Sequence, residues 1–370
     1  MHPSEVAIEP TRSIAAGGAS RRYKAVSRTA MDVTPRQVKW LLPGLIPFGG
    51  LTVLAGQPGL GKSLLTVKIA ADFSAGRLAE QGAVLMLTAE DPAAEVVVPR
   101  LMAARAKLTS IRFAELEEDY MSMPLRLPAD IESLDQIVRE HNARLIVIDP
   151  LSAHLTTGVD SFKDQSIREA LAPLAALADT RHLAIVLVAH LNKGLGTDPL
   201  HRLGGSIGLP AAARSVLLLG RDPDDPEGTS GSRRVLAHVK SNFGQLAESE
   251  AYRIGSAKVE SWLEEMTVAY IVEAGPSPYR GSDLLVAGHE ADQPGVMQEA
   301  VAFLKAVLSE GSRPASEVEA EAEQAGLPWD TVKRAKRRAG VTARKQRGVA
   351  NGPWLWQLGE LPASAEQPAA

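Results

Sequence analysis

Between residues 50 and 240 the chain keeps repeating one pattern. A short, almost wholly apolar run is followed by a turn and then by a longer segment whose apolar positions recur every three or four residues. The short runs are Leu51–Ala55, Ala83–Thr88, Arg144–Ile148, Ala184–Ala189, Ser215–Leu219 and Arg234–Val239. Runs of that length read as strands buried on both faces. The longer segments, Lys62–Ala75, Ala93–Lys107, Ile131–His141 and Lys163–Thr180, read as helices. In the last of them Ile167, Leu171, Leu174 and Leu177 form one stripe, and Pro173 is expected to kink it. Strands alternating with helices predict an α/β fold, a mostly parallel sheet covered on both sides. Tyr252–Ile254 and Thr267–Val272 read as terminal strands on an antiparallel edge.

The flanks differ in pattern. Residues 1–34 mix Pro, Ser, Ala and Arg without periodicity and read as a disordered tail, so the α/β domain is expected over 35–273. Residues 274–295 are rich in Pro and Gly and read as a linker. A small basic domain follows over 296–359, and 360–370 read as a second tail. Within that domain the pattern predicts helices at Val296–Leu308, at Ser316–Gln324 with Ser316 as its cap, and at Trp329–Ala339. A hairpin over 341–356 turns at Asn351-Gly352. Three helices and a hairpin are the outline of a winged helix.

Composition adds limits. The 370 residues, 45% of them hydrophobic, supply one large or two modest cores. The net charge of −4 averages over segments of opposite character and decides nothing about nucleic acid. With no cysteine there is no disulfide and no thiolate metal site, and a reducing cytoplasmic setting is expected. No apolar run approaches membrane-spanning length, and Arg21, Arg22 and Lys24 precede no apolar segment of a secretory signal. No partner membrane is expected.

The chemistry begins where the first strand run ends. Gly56-Gln57-Pro58-Gly59-Leu60-Gly61-Lys62-Ser63 fits G-x-x-x-x-G-K-[ST], with Leu64 next in the helix that follows. Glycines let backbone N–H groups close around phosphate oxygens, and the helix start adds its positive end. Lys62 is suited to β- and γ-phosphate charge, and Ser63 offers a hydroxyl to Mg²⁺. ATP and Mg²⁺ are the expected cofactors. The run Arg144–Ile148 ends in Asp149, placed to hold the metal. Ala83–Thr88 leads into Ala89-Glu90-Asp91-Pro92, where Glu90 is placed to position water while Asp91 caps a helix. Ala184–Ala189 delivers His190, where a polar group can sense the γ-phosphate.

In this order the motifs resemble those of the RecA/DnaB-type ring ATPases, and most closely the RepA-like hexameric replicative helicases of plasmids and mobile elements. The resemblance rests on Gly56–Ser63, Ala89–Pro92, Leu145–Asp149 and His190–Lys193 and spans residues 36–273. It implies a RecA-like P-loop NTPase fold, a homo-hexamer and ATP-driven action on single-stranded DNA, with a replication initiator or primase as a further partner. Glu90 is then the catalytic carboxylate, Asp149 the metal carboxylate and His190 the link between γ-phosphate and DNA. Arg214, closing Gly204–Arg214, is implied as a finger into the neighbouring subunit, and Lys240 is a second candidate. The loop after His190 would face the channel with Lys193, His201 and Arg202, and less directly 152–166 with Lys163.

The basic domain has its own signal. Lys333, Arg334, Lys336, Arg337, Arg338, Arg344, Lys345 and Arg347 are eight basic residues within fifteen positions, with no acid among them. They fall on the third helix and the first arm of the hairpin, the parts with which a winged helix straddles phosphates. Three readings stay open from sequence: a ring helicase, a DNA-stimulated ATPase that remodels without unwinding, and an ATP-gated DNA-binding regulator.

Overall fold

The structure is a computed structural model and describes residues 27, 29–78, 80–118, 120–160, 163–192, 198–202, 208–225, 227, 230–260, 265–285, 296–345 and 353–359. The tails expected over 1–34 and 360–370 lie outside these residues, except for 27 and 29–34. There Ala30–Asp32 form one 3₁₀ turn, with Thr29 Oγ1 donating to Asp32 Oδ2 at 2.6 Å.

In chain order the α/β unit contains β1 (Trp40–Leu42), β2 (Ile46–Pro47), β3 (Gly50–Gly56), α1 (Lys62–Ser74) and β4 (Ala83–Thr88). Then come α2 (Val98–Ala103), β5 (Ile111–Phe113), β6 (Glu115–Glu118), β7 (Met121–Pro124), α3 (Ile131–His141) and β8 (Ala143–Asp149). The rest are α4 (Asp164–Arg181), β9 (Ala184–His190), α5 (Gly208–Ala212), β10 (Ser215–Arg221), β11 (Arg233–Ser241), β12 (Ser249–Glu260) and β13 (Glu265–Ser277). Nine strands form one sheet in the order β13-β12-β11-β10-β3-β9-β8-β4-β5. From β10 to β5 all neighbours are parallel, and β11, β12 and β13 add the antiparallel edge. The α/β class and the mostly parallel sheet of a RecA-like P-loop domain are as the pattern predicts.

The sheet is buried on both faces because successive side chains point to opposite sides. On β8, Ile146 and Ile148 enter one apolar layer with α3 and α4, while Leu145 and Val147 enter another with α1 and α2. β9 divides the same way, Ile185 and Leu187 against Val186 and Val188.

Four expectations need correction. The helix over Ala93–Lys107 is shorter and broken: a π turn at Ala93–Val97 precedes α2, and Arg105 turns left-handed at φ +56° beyond it. Pro99 has no N–H to give to residue 95, so regular bonding cannot run through that point. α4 runs as a single helix from Asp164 to Arg181 with Pro173 inside it. The stretch 274–285 is not loose: β13 continues to Ser277, residues 281–285 are helical, and Leu284 and Leu285 are buried in the core layer of α3 and α4. Residues 286–295 lie outside the description. Ser316 caps nothing: its helix starts one residue earlier, at Ala315, after Pro314, with no side-chain capping bond.

The C-terminal part contains α6 (Val296–Val307), β14 (Arg313–Pro314), α7 (Ala315–Gln324), α8 (Trp329–Arg338), β15 (Val341–Lys345) and β16 (Trp354–Leu358). Its small sheet has the order β14-β16-β15. It has a core of its own, with Leu304, Leu308, Val318, Val332, Ala335 and Trp356 at its centre. The expected hairpin turn at Asn351-Gly352 lies outside the described residues.

Candidate nucleotide site

β3 ends at the centre of the sheet and hands the chain to α1 through the glycine loop. The three glycines are required for different reasons. A Cβ on Gly56 would lie 2.6 Å from the Leu219 carbonyl oxygen of β10, a backbone atom that cannot yield. Gly61 has φ +91°, and a Cβ there would meet Ile254 Cδ1 at 3.2 Å. Gly59 has φ +75° and nothing within 4 Å of its would-be Cβ. Left-handed backbone at Gly59 and Gly61 turns peptide N–H groups into the loop. Leu60 and Leu64 are buried beneath it, and Pro58 is exposed. Arg234 on β11, itself buried, donates from Nε to the Leu60 carbonyl at 3.1 Å and pins the loop from behind. Sequence reasoning passed over Arg234 as part of a strand; its signal was a lone charge entering an apolar run.

Four polar side chains meet at the loop. Lys62 Nζ donates to the carbonyls of Gly56 at 3.0 Å and Gln57 at 2.9 Å, and lies 3.2 Å from His190 Nδ1 at the end of β9. Burial lowers the Lys62 pKa to about 8, with Asp149 and Glu90 pulling it back up. His190 is also held below its ordinary value, first by burial and then by the Lys62 charge, so it accepts from the ammonium as a neutral ring. Asp149, at the end of β8, is nearly buried, and burial raises its pKa against a hydrogen bond from Ser63. Thr66 Oγ1 donates to the Ser63 carbonyl at 3.0 Å and lies 3.5 Å from Asp149 Oδ2.

Ser63 and Asp149 fit Mg²⁺, which takes oxygen ligands, one or two carboxylates and substrate phosphates. A buried carboxylate whose charge is disfavoured gains most from a cation beside it. Ser63 and Asp149 are the residues that would hold it. Asp91 does not cap a helix as expected; it pairs with Arg100 of α2 at 2.7 Å. Glu90 beside it is exposed, makes no hydrogen bond or ion pair among the described residues, and stands near enough to act on the charges of Lys62, Asp149 and His190.

Against known proteins, a family model described as an AAA domain matches residues 19–196. That stretch contains the glycine loop, Glu90, Asp149 and His190. The chain carries a P-loop ATPase domain. DNA repair protein RadA of Mycobacterium tuberculosis is 26% identical over 249 residues, covering 66% of this chain and 45% of RadA. RadA of Helicobacter pylori is 26% identical over 263 residues, covering 68% and 50%, and that of Salmonella typhimurium 28% over 253, covering 66% and 46%. The chain thus spans about half the length of these relatives. Among solved structures the ATPase domain of a helicase matches at a TM-score of 0.42 and 15% identity, covering 55% of this chain and 81% of that one.

The remaining candidates lie elsewhere. Arg214 precedes β10, and its N–H donates to the Leu51 carbonyl at 2.9 Å, five residues before the glycine loop. At about 3.3 Å per strand residue that is roughly 16 Å from the loop along β3. The Arg214 side chain is exposed and lies over Gly50, where a Cβ would meet Arg214 Cγ at 2.9 Å. Lys240 pairs in register with Val216 at the same end of the sheet, and its Nζ donates to the Pro210 and Ala213 carbonyls at 2.6 and 2.7 Å. Lys240 therefore closes the carboxyl end of α5. Burial lowers its pKa, as does Arg214 nearby. A buried relay holds this end: the Ala247 N–H donates to His238 Nδ1 at 3.0 Å, His238 Nε2 lies 3.2 Å from Ser215 Oγ, and Ser215 donates to the Leu45 carbonyl at 2.6 Å.

Arg202, expected on a channel-facing loop, is buried instead and donates from Nη2 to the Asn192 carbonyl at 2.9 Å. That is a structural position, out of reach of a phosphate. Lys193 lies outside the described residues, as does Arg347. His201 and Lys163 are exposed and pair with Asp198 and Asp160. In the C-terminal part Lys333 is exposed on α8, and Arg344 and Lys345 are exposed on β15. Arg334, Arg337 and Arg338 belong to α8, but their side chains are outside the description.

Proposed function

We propose that this protein is a Mg²⁺-dependent ATPase that works as a ring, a homo-hexamer, and acts on single-stranded DNA as a RepA-like replicative helicase. One observation carries the reading. Lys62, Asp149, His190 and Glu90 gather at one end of the sheet, while the exposed Arg214 stands at the other end, out of reach of its own loop. A neighbouring copy that presents Arg214 to this loop would complete the site. Lys240, already committed to α5, is the weaker candidate for that part.

In this reading the loop N–H groups and Lys62 bind the phosphates. Ser63 and Asp149 hold the metal, which neutralises charge on the β- and γ-phosphates. Glu90 orients water in line with the γ-phosphate, and His190 reads whether that phosphate is present through its contact with Lys62. The C-terminal part is a winged-helix-like unit whose basic face contacts DNA phosphates.

A second reading, a DNA-stimulated ATPase that remodels without unwinding, is favoured by the relatives being repair proteins by name. Strand displacement on a forked duplex separates the two. The helicase reading expects ATP-dependent release of the displaced strand, abolished by Lys62→Ala. ATP turnover stimulated by single-stranded DNA with no release would overturn it in favour of the second reading.

A further inference from the structure

The basic cluster accounts for charge in the C-terminal part but not for its aromatic residues. Trp329 of α8 and Trp356 of β16 stack at 5.0 Å and 10°, a buried pair that fastens the helix to the small sheet. Lys336 Nζ stands 4.4 Å from the Trp356 ring centroid and Lys333 Nζ 5.9 Å from that of Trp329. Trp354 lies two residues before Trp356, so it is on the same face of the sheet, about 7 Å further toward the hairpin tip. There the cover ends: Trp354 is 56% exposed, while Trp356 is 4% exposed. Directly across from Trp354 in register is Lys345, on the same face and exposed. One face of this unit thus carries a bare indole just beyond a helix edge bearing Lys333 and Lys336, with Lys345 beside it.

We infer that Trp354 is a stacking platform for an unpaired nucleobase, with Lys345 and the α8 lysines on the adjoining phosphates. The inference rests on the reading of this unit as a DNA contact and adds what that reading leaves open, the strandedness of the ligand. A bare aromatic side chain normally costs solubility and is kept where it binds something. Here its neighbours are cations, and from 333 to 347 there is no acid. An apolar ring in a positive field suits a ligand with π faces and negative charge. Within an intact duplex the bases are stacked on one another, so the ring would find a partner only in a single strand or a frayed end.

The test uses the full-length protein and labelled oligonucleotides, a single strand and a blunt duplex, titrated by fluorescence anisotropy at several salt concentrations. Trp354→Ala should weaken binding of the single strand about tenfold, within the usual range for losing one stacked base. Duplex affinity should change less than about twofold, and the salt slope of single-strand binding should hold, since no phosphate contact is lost. Trp354→Phe should restore most of the affinity, which separates stacking from misfolding. Wild-type affinity of Trp354→Ala for the single strand, or equal losses on both ligands, would overturn the platform. The doubly charge-reversed Arg344→Glu/Lys345→Glu checks the underlying reading by itself. If it binds with wild-type affinity and slope, the unit does not contact phosphates, its aromatic face serves another protein, and both proposals fall.

Discussion

The two ends of the main sheet are built on opposite principles. At the carboxyl ends of β3, β8 and β9, charges are buried and set against one another. Lys62 is held by two carbonyls and His190, Asp149 by Ser63, and each pKa is moved by its surroundings. At the amino end of β10 the buried polar groups are neutral and fully bonded, and the charge, Arg214, is left outside. Exposed Phe243 and Leu246 lie on the chain just beyond Lys240, and Phe243 meets Trp40 edge to face at 5.7 Å. Buried, mutually compensated charge suits binding and chemistry inside one subunit, because burial strengthens every electrostatic term. A rigid end that offers one exposed cation beside apolar rings suits delivery to another molecule. A single chain therefore contains both halves of a site and is folded so that they cannot meet within it.

Breaking that division at Arg214 should have the largest effect. Arg214→Ala should lower the turnover rate roughly 10³–10⁵-fold with ATP affinity kept, the range for a finger given in trans. Lys62→Ala should be inactive through loss of the loop. Mixed under conditions of subunit exchange, the two dead variants should regain measurable ATP hydrolysis, as some interfaces then carry an intact loop and an intact arginine. No recovery with exchange verified would mean that Arg214 does not cross between subunits.

The next effect concerns Glu90, the carboxylate at the loop that has no partner among the described residues. Glu90→Gln should keep ATP affinity and cost roughly 10²–10⁴ in turnover, as only water positioning is lost. A wild-type rate in steady-state assay would move the role to another acid.

The smallest effect is a proton. With its pKa lowered to about 8, Lys62 is largely charged at neutral pH and loses its proton as pH rises through 8. Phosphates favour the charged form, so bound nucleotide raises this pKa and binding above pH 8 takes up a proton. ATP affinity should be flat from pH 6.5 to 7.5 and then fall by up to about tenfold per pH unit. Calorimetry in two buffers of different ionisation enthalpy reads the uptake directly. Proton release instead would show that Lys62 does not face the phosphates.

Much of this was legible in the sequence because burial on both faces leaves an unbroken apolar run. β3, β4, β8, β9 and β10 all carry one, and each ends in, or hands on to, a residue of the nucleotide site. The long edge strands were read only at their centres. β12 alternates exposed Glu250, Arg253 and Glu260 with more buried neighbours, a half-solvated pattern that gives no run. The β6–β7 hairpin was missed for the same reason. Arg202 and Lys240 show a second limit. A cation in sequence looks alike whether it meets a phosphate or a carbonyl, and the carbonyls of Asn192, Pro210 and Ala213 come from elsewhere in the chain. Arg234 was hidden in the same way, its partner at Leu60 lying 174 residues away.

The glycines of the phosphate loop are unequal witnesses to what the loop does. Gly56 is demanded by the Leu219 carbonyl of the adjoining strand, so a version of this fold that had ceased to bind nucleotide would still need glycine there. Gly59 answers to no neighbour within 4 Å; only its left-handed turn, and the phosphate that such a turn admits, call for it. A descendant of this chain that lost its chemistry should therefore drift first at position 59 and last at position 56, and a motif search that weights the two alike would go on reporting an active loop after the activity had gone.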